Sequence, residues 1–211
     1  GERGPLLRRP EVVVREHLAL GAGGTCFSLT ELLRQLCRHV GLECHPVMAH
    51  MRHGPHIHCA LVVQAGGRSY LVDPGYLIRR PIALDGGSTR STPAAFGAPF
   101  VVRAGSRVGP PPHIPPGALD LFTMEGDGPR WRYRLGGAPP TPEQFVGHWL
   151  RSFSGSAMRT LLVSRRGDDG ELLFLHGHKL RRQWSAGREN CNVRGELEQA
   201  VQIQKSLLPR R

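Results

Sequence analysis

Cys26, His58 and Asp73 have residue types and spacing that could support nucleophilic chemistry. Cys26 follows the glycine-rich run GAGG and Thr25, and opens a segment, CFSLTELLRQLCRHV, that reads as an amphipathic helix. A thiol at a helix N-terminus meets the positive end of the aligned peptide dipoles and backbone N–H groups without intrahelical acceptors, and both favour the thiolate. The preceding glycines let the backbone approach a ligand closely. A working nucleophile also needs a base, and the base needs a group to hold it.

Both can come from one hairpin, HIHCALVVQAGGRSYLVD. Its first strand alternates Ile57, Cys59, Leu61 and Val63 with His56, His58, Ala60 and Val62, as a two-faced strand requires. If Ala65 and Gly66 form the turn, facing residues have numbers that sum to 131, and His58 lies opposite Asp73. If Gly66 and Gly67 form it, the sum is 133 and Asp73 faces Ala60, a diagonal neighbour of His58. Either two-residue turn puts imidazole and carboxylate on one side of the sheet, where directly opposed Cβ atoms lie about 5 Å apart. His56 shares that face and is a rival base. Each residue alone also has an ordinary role: a packed thiol, a satisfied strand histidine, and an aspartate before a Pro-Gly turn. Together they form a Cys-His-Asp set in which the base activates the thiol and the acid orients the base. Cys37, on the apolar helix face, and Cys59, on the strand face opposite His58, are expected to react slowly.

These residues are carried by a recognisable series of elements. Leu29, Leu32, Leu33, Leu36, Cys37 and Val40 follow the helical period and predict one buried face, and Gly41 stops the helix. Short β-rich runs follow, from LECHPVMAHM to SYLVDPGY. Residues 85–117 read as a Gly-, Pro- and Ser-rich surface loop with one strand at FVVRAG. Hairpins turning at EGDG and GDDG are expected downstream, with a helix over 142–153, where Pro142 suits the first turn, and a last amphipathic helix over 195–208. The implied organisation is a helical part with the nucleophile over 1–50, short at its N-terminal side, a β part with His58 and Asp73 over 51–140, and a C-terminal α/β lid over 141–211.

Composition narrows the class. Five cysteines at irregular spacing, with no CxxC or finger pattern, argue against a disulfide framework or a structural metal site. No run approaches the roughly 18 apolar residues of a membrane span, and GERGPLLRRPEVVV lacks the apolar core of a secretion signal. A soluble cytoplasmic protein is expected. The net charge of +11 is carried by arginines, with Lys179 and Lys205 the only lysines. Because the basic residues are scattered in pairs without interleaved aromatics, nucleic acid is not the expected partner, and an anionic small ligand or an acidic protein fits better. Arg79 and Arg80 follow the DPGY turn and are the pair expected beside the site mouth.

GGTC before a helix, IHCALVV, and YLVDPGY resemble signatures of the arylamine N-acetyltransferase family, and FVGHWLRSFSGSAMRTLLVSRRGDDGELLFLHGHKLRR extends the likeness over roughly residues 5–185. The resemblance implies an α+β fold in which a Cys-bearing helix packs on an antiparallel β-barrel or sheet, closed by the α/β lid. It places a catalytic triad on Cys26, His58 and Asp73. It implies ping-pong acyl transfer from acetyl-CoA or another acyl thioester, with no permanently bound cofactor, to an amine or hydroxyl acceptor. Gly75, Tyr76, Arg79 and Arg80 are the expected donor-binding positions. The chain departs from the family pattern at Ala22, where the motif has arginine, at Thr30, and at Leu77, where a second glycine is usual. Those departures bear on the donor and acceptor, because the family also includes amide synthases of natural-product pathways that take acyl chains from carrier proteins. A transglutaminase-like amide hydrolase or peptidase with the same triad, and a non-catalytic member of the fold, are the alternatives.

Overall fold

Gly66 and Gly67 adopt φ values of 56° and 72°, the two left-handed conformations of a type I′ hairpin turn. They join β2 (Gly54–Ala65) to β3 (Arg68–Val72) in the register Leu61↔Val72 to Ala65↔Arg68, so the second of the two expected turns is the one formed. The computed structural model describes residues 6–84, 99–103, 119–125, 128–155, 158, 160–167, 171–184, 187–195 and 198. The loop expected over 85–117 apart from its strand, most of the EGDG and GDDG turns, and the helix expected over 195–208 apart from Gly195 and Glu198 lie outside the described residues.

β2 and β3 belong to a curled seven-stranded antiparallel sheet in the order β4-β3-β2-β1-β7-β6-β5. Its other strands are β1 (Cys44–Met51), β4 (Ile82–Ala83), β5 (Pro99–Arg103), β6 (Leu119–Glu125) and β7 (Gly128–Leu135). The strand expected within the 85–117 segment and the first downstream hairpin are both present. All but the last residue of β1 lies within the first fifty residues, and the strand pairs with both β2 and β7. The sheet therefore draws on the part expected to be helical as well as on 51–140. Val47, Ala49, Ala60, Val62, Leu71, Leu121, Tyr133 and Leu135 fill its concave core.

A second sheet, ordered β11-β10-β9-β8, is built from β8 (Leu162–Arg166), β9 (Leu172–His176), β10 (Lys179–Trp184) and β11 (Gly187–Asn192). The β8–β9 pairing matches the expected hairpin. The polar, mostly exposed β11 has no apolar alternation to announce it.

Among the described residues there are three helices. α1 (Pro10–Leu20) starts with proline in its first turn and ends at Gly21, whose φ of 67° allows its N–H to reach His17 O. The sequence reading assigns no element there. α2 (Cys26–His39) differs from expectation in the face it buries. Phe27, Thr30 and Cys37 are buried, whereas Leu36 and Val40 are 52% and 68% exposed. The physical reason is that its apolar residues are divided between neighbours. Phe27, Leu33 and Cys37 turn to the sheet, while Leu32 and Leu36 line an open groove of about 890 Å³ shared with Val14 and Leu18 of α1. α3 (Pro142–Ser152) is anchored by a capping box between Thr141 and Gln144. Its Phe145 and Trp149, one turn apart, pack on Phe27 with ring centroids 5.5 and 6.2 Å away. No described helix is long and apolar enough to cross a membrane.

Candidate active site

Thr25 caps α2, its hydroxyl accepting from the Ser28 N–H, so Cys26 is the first helical residue. The adjacent Phe27 is fully buried against Phe145 and Trp149. That aromatic contact anchors the helix start and holds the part-exposed Cys26 at the surface of the sheet.

His58 and Asp73 reach this point because the sheet opens beside them. The last β2–β3 pair is Leu61↔Val72, so β2 has no β3 partner from Ala60 back to His58. The chain beyond Val72 turns away through Asp73, Pro74, Gly75 and Tyr76, closed by Ile78 N–H donating to Asp73 O. Into the resulting gap the α2 terminus presents Cys26. Gly75 seals it: a Cβ on Gly75 would lie 2.5 Å from Cys26 Cβ, 2.8 Å from Cys26 Cα and 3.2 Å from His58 Cε1. Glycine is required here by close approach.

Asp73 is completely buried and accepts three hydrogen bonds. His58 Nε2 lies 2.7 Å from Oδ2, Tyr133 Oη donates to the same oxygen at 2.7 Å, and the Tyr76 N–H donates to Oδ1 at 2.9 Å. Since Nε2 is taken by Asp73, Nδ1 is the ring nitrogen left free to interact with Cys26. Burial on its own would push the His58 imidazole down. The Asp73 carboxylate and the Cys26 sulfur overcome burial and raise it to about 10. The Cys26 thiol is held well below its usual range, first by a hydrogen bond from Cys59 and then by His58, against the opposing effect of burial. Thiolate and imidazolium thus support each other in a site where each would be unfavourable alone.

The structure brings Cys26, His58 and Asp73 together and sets His56 apart. The His56 ring packs between His50 and His148, with centroids 4.6 and 4.5 Å away, and has no contact with Asp73. Tyr76 stands edge-on to His58 at 5.7 Å. Arg79 and Arg80 are exposed, and Arg79 donates to Gly167 O at 3.0 Å, tying the DPGY turn to the second sheet.

Two site residues escape sequence reasoning. Tyr133 comes from β7, far along the chain from Asp73, with no local pattern linking the two. Cys59 is expected to react slowly, on the strand face opposite His58, and the alternation gives no sign of a contact with Cys26. It does face the other way, towards α2 with Leu61 and Val63, but the α2 terminus lies on that side, so Cys59 contacts Cys26. Its thiol is pushed well above its ordinary value, chiefly by burial.

This fold is the one seen in arylamine N-acetyltransferases. The enzyme from Salmonella typhimurium matches with a TM-score of 0.72 at 17% identity, over 95% of this chain and 73% of that one. An enzyme from Bacillus cereus, described as having a Cys-His-Glu catalytic triad, matches with a TM-score of 0.69 at 14% identity, over 95% and 79% of the two chains. The Mycobacterium marinum enzyme in complex with CoA matches with a TM-score of 0.71 at 18% identity, over 88% and 69%. No protein-family model matches the sequence, and no curated protein matches it. Fold and site together define an arylamine N-acetyltransferase-like scaffold with a helix-borne cysteine set beside a buried His-Asp pair.

Proposed function

We propose that this chain is a divergent acyltransferase of the arylamine N-acetyltransferase family, moving an acyl group from a CoA thioester through Cys26 to an amine. The observation that carries the reading is the convergence of Cys26 with the buried, hydrogen-bonded His58–Asp73 pair inside that fold. A Cys-His-carboxylate triad is also described for the B. cereus enzyme, and the M. marinum enzyme binds CoA.

In this mechanism the Cys26 thiolate attacks the thioester carbonyl carbon. The carbonyl oxygen becomes an oxyanion within reach of backbone N–H groups that the first turn of α2 leaves without intrahelical acceptors. As the tetrahedral adduct collapses, the C–S bond to CoA breaks and His58 Nδ1 delivers its proton to the departing sulfur. The amine then attacks the Cys26 thioester, the now neutral His58 takes the amine proton, and Cys26 leaves as thiolate. Asp73 stays ionised and holds the imidazole with Nδ1 aimed at sulfur. Arg79 and Arg80 supply positive charge at the mouth for the anionic donor.

Intact-protein mass after incubation with acetyl-CoA tests the proposal. An added acetyl group mapped to Cys26, discharged by an aromatic amine, is expected. If acetyl-CoA, long-chain acyl-CoA and acyl carrier protein all leave the protein unmodified, acyl transfer is excluded. Cys26-dependent cleavage of amides would then favour the hydrolase alternative.

A further inference from the structure

Cys59 sits against the nucleophile: fully buried, it shares a packed cluster with Phe27, Met48, Phe145, Trp149 and the Cys26 side chain. Cys26 packs against that cluster, and the Cys59 thiol is the leading influence lowering the Cys26 thiol, while burial and Cys26 raise Cys59. Both ends of the contact are anchored. The cap at Thr25 and the Phe27 aromatic packing fix Cys26, and the β2–β1 pairing Met48↔Cys59 fixes Cys59. Thr30, one turn into α2, donates to the Cys59 carbonyl at 3.4 Å and ties the helix to the strand at that residue. Acyl transfer as written above has no step for a second thiol.

We propose that Cys26 and Cys59 form a resolving pair, in which a hydroperoxide oxidises Cys26 and Cys59 captures the product as an intrachain disulfide. The Cys26 thiolate attacks one peroxide oxygen, breaking the O–O bond, to give Cys26 sulfenic acid and hydroxide (or alkoxide). The Cys59 sulfur then displaces hydroxide from the sulfenic acid, and the Cys59 proton leaves with it as water. With hydrogen peroxide, two thiols and one peroxide become one disulfide and two waters, with the sulfurs oxidised and the peroxide reduced. A sulfenic acid with a thiol neighbour condenses to a disulfide that a thiol reductant reverses, whereas one without is open to sulfinic and sulfonic acid, which thiols do not reverse.

The geometry suits this order of events. Cys26 is part-exposed and Cys59 fully buried, so a small oxidant meets Cys26 first. The other neighbouring thiols, Cys37 and Cys44, are both buried, and burial raises the Cys37 thiol, so Cys37 is a poor starting point for the reaction. The outcome is a reversible block on the nucleophile.

The test exposes the full chain to a molar excess of hydrogen peroxide, removes the peroxide, alkylates the chain under denaturing conditions, and reads intact and peptide masses. A loss of about 2 Da, mapped to a Cys26–Cys59 cross-link and removed by dithiothreitol, is expected. Cys59→Ala treated in the same way should instead gain oxygen at Cys26 that dithiothreitol does not remove, with Cys59→Ser as the replacement should the alanine variant not fold. Sulfinic acid accumulating at Cys26 of the parent while Cys59 remains alkylatable would overturn the proposal, as would equal recovery of the parent and the Cys59 variant. The readout is mass and does not depend on acyl transfer, so the two proposals fail separately.

Discussion

Tyr133 Oη donates a 2.7 Å hydrogen bond to Asp73 Oδ2, the same oxygen that lies 2.7 Å from His58 Nε2. Both groups are buried, and the tyrosine and the base converge on one carboxylate oxygen with their rings 5.0 Å apart. Tyr133→Phe keeps the ring that packs in the sheet core and removes only this donor. A loss of about 1.5–3 kcal/mol in urea unfolding with an unchanged m-value is expected, the usual range for a hydrogen bond to a charged group. An unchanged midpoint would mean that the bond contributes nothing net.

Gly75→Ala places a methyl group 2.5 Å from Cys26 Cβ and 2.8 Å from its Cα, so the turn and the helix start must move apart. A displacement of about 1 Å at a reacting centre can cost about 100-fold in rate, and a loss of that order in the rate of Cys26 acylation is expected, with thermal stability changed far less. Acylation at the parental rate would show that the turn yields without disturbing the sulfur.

Asp73→Asn retains the side-chain shape while removing the charge that holds His58 protonated. Transfer should fall by about 10⁴-fold, the scale seen when an orienting carboxylate is lost from a triad, and Cys26 alkylation at neutral pH should slow as its ion-pair partner weakens. Far-ultraviolet circular dichroism should match the parent. Turnover within a few fold of the parent would remove Asp73 from the mechanism.

Alkylation by iodoacetamide carries a sign that follows from the two shifts. Cys26 is depressed and His58 raised to about 10, so thiolate and imidazolium coexist across the neutral range and are lost in opposite directions. The Cys26 rate should stay flat through neutrality, fall only on the acid side, and change again near the His58 value of about 10. An ordinary peptide thiol instead loses reactivity tenfold per unit below about 8.5. Cys37, raised by burial, should remain unlabelled throughout. A tenfold loss per unit already at neutrality would refute the ion pair.

Arg79 and Arg80 can be separated by their contacts. Arg79 is tied to Gly167 O, so Arg79→Ala also frees the turn from the second sheet, whereas Arg80→Ala changes charge at an exposed position. Arg80→Ala should slow acylation by acetyl-CoA about tenfold at low salt, with most of the difference gone at high salt, and leave alkylation by neutral iodoacetamide unchanged. A salt-independent loss would assign Arg80 a structural role.

Local pattern alone determined several elements here: the helix that begins at Cys26, the two-faced strand through His58, the Pro-started helix at 142, and an even hairpin loop that keeps His58 and Asp73 on one side. Periods and turn residues act between chain neighbours, so they are legible without the fold. Choosing between the two hairpin registers needed the paired left-handed conformations of Gly66 and Gly67. The buried face of α2 could not be read from its apolar residues, because they serve two neighbours and only the packing says which side meets the sheet. Alternation correctly turned Cys59 away from His58, yet it says nothing of which element waits on that side, and the α2 terminus is there. Tyr133 reaches Asp73 from a strand 60 residues away through sheet curvature and strand order. Contacts of that kind are set by how elements close on one another, which no local period encodes.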